Sequence, residues 1–172
     1  MRASVAYLYR LAFHCAWLAL LAGPAAAGAH APTLDTALDA LVAQLVDADA
    51  QEVPGTRTSR PVAVGDRHVL LSTVDISGFA GGHRGGTLLV VHESTDIGDR
   101  SQGSALSPAV RLVAFAWVAG RGWRQLEARA LRVDAGQIVM PGLAYLPGDP
   151  SCCPSQQIEA RYSLVNDNLV AH

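Results

Sequence analysis

The chain predicts an α+β fold: one N-terminal amphipathic helix packed on a curved, mainly antiparallel sheet arranged as a meander. Three observations predict it. A single stripe of apolar residues at helical spacing lies near the start. Short apolar, β-branched runs follow it to the end of the chain. Tight-turn residues separate those runs in the second half.

The helix begins at Pro32-Thr33. Leu34, Leu38, Leu41, Val42, Leu45 and Val46 recur on one face, with Ala37 filling the stripe. Thr33 or Asp35 is positioned to cap it, and Asp35 and Asp39 suit its positive end. It is expected to stop near Ala50, ahead of Val53-Pro54-Gly55. Strands are expected at Val62 to Val64, Val69 to Ile76 and Thr87 to His92. The segment from Gly78 to Gly86 is too glycine-rich for regular structure, and Ser94 to Pro108 reads as a long polar loop. Arg111 to Val118 and Trp123 to Val133 flank the hairpin signal Ala119-Gly120-Arg121-Gly122, with Trp117 and Trp123 bracing it. In the second of these runs Leu126, Ala128, Ala130 and Arg132 alternate with Glu127, Arg129, Leu131 and Val133. Asp134-Ala135-Gly136 then turns into Gln137 to Tyr145, and Asn166-Asp167-Asn168 joins Ile158 to Val165 with Leu169-Val170.

Residues 1–29 read as a secretory signal. Arg2 and Arg10 supply positive charge, Leu11 to Leu21 is apolar, and Ala25-Ala26-Ala27 or Ala27-Gly28-Ala29 fits a small-x-small cleavage site. The apolar run is shorter than the ~20 residues of a membrane span, and no charged stop follows it. Residues 30–172 are then a single exported, periplasmic domain with no transmembrane span. That domain keeps eleven arginines against fifteen acidic residues, a formal charge of −4. The balance argues against nucleic acid and anionic membrane surfaces as partners. The chain has no lysine, which removes Schiff-base, Ser-Lys and P-loop chemistry.

Once Cys15 leaves with the signal, Cys152 and Cys153 are the only cysteines, and they are neighbours. In a strand their side chains would point to opposite faces. Gly148, Pro150 and Pro154 favour a turn instead. A bond between neighbours spans Cα atoms ~3.8 Å apart, below the usual ~4.4–6.8 Å, so it would be strained and easier to reduce. Three readings stand: a structural bridge favoured by export, a redox pair, or thiols that take a soft metal or a partner chain.

The string Gly148-Asp149-Pro150-Ser151-Cys152-Cys153-Pro154-Ser155, followed by the alternating run from Ile158 to Tyr162, resembles the LppP/LprE family of exported bacterial proteins. The likeness covers Gly136 to Val170. The chain departs from the family in lacking a lipid-attachment cysteine and in reading Asp75-Ile76-Ser77-Gly78-Phe79 where members carry an Asp- and Gly-rich segment. The resemblance implies location and fold, not an activity.

Elsewhere, His83 and Arg84 in the glycine-rich segment are a weak anion-binding candidate, because glycine lets backbone amides approach a ligand. His68, His92 and His172 form no metal motif, and no nucleophile elbow occurs. Asp66, Asp75, Glu93 and Asp149 would meet only through folding. No cofactor is implied. The expected function is a non-enzymatic envelope binding or accessory module, with a small-molecule ligand or an envelope protein as partner. The alternative is a thiol-based redox sensor or oxidoreductase accessory using Cys152 and Cys153.

Overall fold

The apolar stripe near the start folds as α1, Leu34–Leu45, in a computed structural model that describes residues 32–46, 50–78, 84–94, 109–120 and 122–172. Thr33 is its N-cap; the hydroxyl accepts the Thr36 amide at 3.4 Å. The helix ends at Leu45, short of Ala50. The expected signal sequence at 1–29 and the candidate His83 lie outside the described residues. So do the Arg84 side chain and most of the polar loop after Ser94.

Ten strands follow in one antiparallel sheet: β1 Gln51–Glu52, β2 Thr58–Val64, β3 Arg67–Gly78, β4 Arg84–Ser94, β5 Val110–Gly120, β6 Arg124–Leu126, β7 Arg132–Asp134, β8 Gln137–Ala144, β9 Gln156–Val165 and β10 Asn168–Ala171. Among the described residues strand is the dominant character, with one α-helix set against it. The early strands join the later ones: the order runs β1-β3-β4-β5-β6-β8-β9-β10, with β2 also on β3 and β7 also on β8. The β1–β2 edge is interrupted, and Pro61 within β2 blunts it. Asn166 and Asp167, both at positive φ, make the tight β9–β10 turn.

Two expectations are corrected. Gly85 and Gly86 lie in β4 rather than in an irregular loop. Trp117 packs over Gly86, where a Cβ would sit 3.1 Å from a ring carbon and 2.8 Å from the Ala119 carbonyl oxygen. The glycine is required by that close approach and does not break the strand. The run from Trp123 to Val133 is not one strand. It divides into β6, a 3-10 turn at Ala128–Ala130, and β7. The cause lies on the facing strand. Pro141 of β8 accepts the Glu127 amide through its carbonyl at 2.9 Å but has no N–H to return. A continuous partner strand would hold an orphaned carbonyl there, so the chain turns away. Gly142 beside it has no room for a side chain, since a Cβ would lie 2.2 Å from the Gln125 carbonyl oxygen.

The sheet buries both faces. On one, Leu38, Leu41 and Val42 of α1 pack against Val74, Ile76, Leu88 and Val90. On the other, Leu71, Leu89 and Val91 share a cluster with Ile138, Met140 and Tyr162. Residues of β3–β4 and β8–β9 meet only because the sheet curls over this second face. Charge clasps the curl at one end. Arg67 at the start of β3 bonds Asp167 in the β9–β10 turn at 2.7 Å, and Glu93 receives both Arg67 (2.8 Å to Nε) and Arg111 (2.6 Å). Hydrogen bonds from Arg67 and then Arg111 hold the Glu93 carboxyl below its usual range. The described residues fall within one compact unit, Ala31–His172, and no helix among them is long and apolar enough to cross a membrane.

His92 is the anomaly of the core. It sits fully buried on β4 between Leu70 and Leu112, and neither ring nitrogen has a hydrogen-bond partner. Burial pushes its pKa below 6.5, so the native chain holds it neutral. Below pH ~6.5 the unfolded chain takes up a proton that the folded chain refuses, and stability falls until the lowered native value is passed. Thermal unfolding followed between pH ~5 and ~7.5 should show this loss. His92→Leu should abolish it, and should add about 1–3 kcal/mol at neutral pH by removing two orphaned polar atoms.

Candidate functional site: the disulfide turn and the cleft beside it

The cysteine motif builds a self-braced loop between β8 and β9. Gly148 takes φ +100°, a conformation that side chains disfavour. This turns Asp149 inward, where its carboxylate accepts the Leu146 amide at 2.7 Å and the Ser155 amide at 3.0 Å. The Ser155 hydroxyl donates to it as well, at 2.9 Å. One side chain thus staples both ends of the loop. Within it the Cys153 amide donates to the Pro150 carbonyl at 2.9 Å, closing a turn around Ser151 and Cys152. The two sulfurs are bonded across a Cα separation of 3.8 Å, and both residues are exposed.

Two further bonds fix this turn against the sheet. The Tyr145 hydroxyl donates to the Ser151 carbonyl at 2.8 Å, and the Gln125 side-chain amide donates to the Cys152 carbonyl at 3.3 Å. The turn therefore stands as a wall beside the end of the sheet opposite the charged clasp. Thr87 and Glu93 lie six positions apart on β4, about 20 Å along the strand.

That end is open. β4 and β5 pair from Gly86 to Ser94, whereas β5 and β6 pair only at Gly120–Arg124. The gap is a cleft of about 550 Å³, in the size range of small-molecule sites. Asp75, Ser77 and Thr87 line one side, glycines 85, 86 and 120 the floor, and Tyr145, Ser151 and Cys152 the other side. Arg124, Gln125 and Leu126 lie between them. Thr87 donates to Asp75 at 2.6 Å. Arg124 donates through Nε to the Val118 carbonyl at 2.6 Å and through Nη2 to the Tyr162 hydroxyl. Its guanidinium also stacks on Trp123, 4.0 Å from the ring centre. Burial raises the Tyr162 pKa against the opposing pull of Arg124, so the phenol stays protonated.

The residues singled out from sequence fare differently. Cys152 reaches the cleft, with Cys153 bonded behind it. Arg84 opens β4, but His83 is outside the described residues, so the two are not brought together here. Asp66, Asp75, Glu93 and Asp149 do not converge: they occupy a hairpin turn, the cleft, the clasp and the loop staple. Sequence reasoning missed Arg124 and Gln125, and it missed Asp149 as a staple. The local signal for the last was the Gly-Asp-Pro string with a serine six residues on. Among the described residues no group of three or more His, Cys, Asp or Glu side chains is placed to hold a metal ion. Among the described residues the cleft is lined by no histidine, and its carboxylate accepts a hydrogen bond from Thr87. It offers hydrogen bonding, opposite charges and an apolar wall.

The Leu146 amide, more than any other group, holds the Asp149 carboxyl below 3.8, so the staple's contribution is present above that value and is lost as pH falls through the lowered one. Asp149→Asn should therefore speed amide hydrogen exchange at Leu146 and Ser155 by at least severalfold at neutral pH. Exchange in the β3–β4 ladder should not change.

Comparison with known proteins found no family model, no curated relative and no solved structure that matches the chain.

Proposed function

We propose that the chain is an exported, periplasmic module of the LppP/LprE type that binds a ligand non-enzymatically in the cleft between the open end of its sheet and the Cys152–Cys153 turn. One observation carries this reading: the cleft holds a guanidinium, Arg124, that no carboxylate among the described residues neutralises. A half-buried charge without a counter-ion is costly, and a site for an outside anion resolves the cost. The braced loop supports the same reading, because a pre-formed wall lowers the ordering cost of binding. In this reading the disulfide is structural and gives the wall its shape.

A second reading is favoured by exposure. Both cysteines are exposed, so an exported dithiol has access to the bond and the protein could serve as a redox sensor.

Two measurements test these readings. Isotope-labelled protein screened against small polar fragments should show amide shifts concentrated at Gly85, Gly86, Gly120, Gln125 and Cys152. Scattered or absent shifts would contradict a binding cleft. Intact mass of envelope-purified protein, alkylated before and after graded reduction, separates the roles of the sulfurs and fixes the N-terminus. A bond that stays closed across envelope potentials supports the structural role. One that opens within that range, and alters fragment binding, supports the sensor.

A further inference from the structure

Resting on the reading of the cleft as a binding site, the geometry points to its ligand class: a short free peptide of two or three residues, with its ammonium at Asp75 and its carboxylate at Arg124.

The argument starts from charge pairing. Arg57, Arg67, Arg111, Arg132 and Arg161 each have a carboxylate partner. Arg124, like Arg60 and Arg129, has none among the described residues, and there Asp75 has no cationic one; of the described side chains, the Thr87 hydroxyl alone donates to its carboxylate. These two unneutralised groups of opposite sign line the same cleft without pairing to each other. A ligand with one charge would leave the other without a counter-ion. A zwitterion satisfies both.

The spacing selects the length. Thr87 anchors the Asp75 carboxylate toward β4, and the Val118 carbonyl anchors Arg124 on the outer edge of β5. The two anchors are one to two strand spacings apart, about 5–10 Å. An α-ammonium and carboxylate on a single carbon fall short of most of that span. Two or three extended residues, at ~3.3–3.6 Å each, cover it. Between the charges, the side-chain-free backbone of Gly85 lines the cleft and leaves room for a peptide backbone, while Val53 and Leu126 offer apolar contact to a side chain. Both charged ends are held in advance, Arg124 by the Trp123 ring and two hydrogen bonds, Asp75 by Thr87. The guanidinium fork suits a terminal carboxylate.

The test uses the full protein and four pools of Ala-Xaa and Ala-Xaa-Ala peptides: free, N-acetylated, C-amidated, and capped at both ends. Native mass spectrometry and calorimetry read the binding. Members of the free pool should bind, and either cap should weaken them about tenfold or more, the size of one lost charge pair. Asp75→Asn keeps an acceptor for Thr87. In that variant N-acetylation should no longer matter, while C-amidation should matter as before. Arg124→Lys should blunt the effect of C-amidation only. Should the arginine variant misfold, the caps and the Asp75 arm still decide. Equal binding of free and doubly capped peptides overturns the zwitterion, and fragment shifts that persist in the cleft would then leave the site itself standing. Failure of every pool to bind overturns the peptide assignment. If the fragments also leave the cleft unshifted, the cleft reading falls with it.

Discussion

Arg124 is the interaction on which the two halves of the sheet depend. The β5–β6 junction has a single ladder pair, Gly120–Arg124, so backbone hydrogen bonding alone holds it weakly. The arginine side chain compensates. It reaches back to the Val118 carbonyl on β5 and across to the Tyr162 hydroxyl on β9, and it lies on Trp123. A lysine has no planar fork to make the same three contacts at once. The bridge also places a positive charge at the mouth of the cleft, so the joint that stabilises the fold and the group that would meet a ligand are the same side chain.

The remaining architecture follows from how the two ends of the curled sheet are treated. At one end Arg67, Glu93, Arg111 and Asp167 draw a β3 terminus, a β4 terminus, a β5 terminus and a hairpin turn together. At the other end β5 and β6 pair at a single position, and Ser151 and Cys152 of the disulfide loop line the gap. Pro141 and Gly142 shape that open end from a distance. The proline interrupts the partner strand, and the glycine lets β6 press close enough to carry Gln125 and Leu126 into the cleft. The interior between the two ends is apolar, with Leu89, Val91, Ile138 and Met140 fully buried.

Much of this was legible locally and little of it globally. The α1 stripe is legible within one short segment, and its buried members Leu38, Leu41 and Val42 are three of the six residues the helical period selects, with Leu34, Leu45 and Val46 only partly buried. The turn at Asn166-Asp167 and the bend around Cys152 are likewise short-range features. The break between β6 and β7 was not legible, because its cause sits on β8, ten or more residues away. The strand character of Gly85 and Gly86 was hidden for the same reason, since the Trp117 ring crowds Gly86 and the Ile76 carbonyl on β3 crowds Gly85. The clasp joins Arg67 to Asp167 across a hundred residues, a pairing no window on the sequence contains. Arg124 carried no signal at all. Its neighbours read as an ordinary hairpin, and only the fold shows that it lies across a seam.

The measurement that tests the account most directly is hydrogen exchange of the Arg124 side-chain Nε–H in isotope-labelled protein. A bond to the Val118 carbonyl inside a stacked, half-buried joint should protect that proton well beyond the side-chain Nε–H of exposed Arg129. The protection should persist in the free protein. Exchange as fast as Arg129 would contradict the account, because the seam between the half-sheets, and the cleft built around it, would then lack the bridge that defines both.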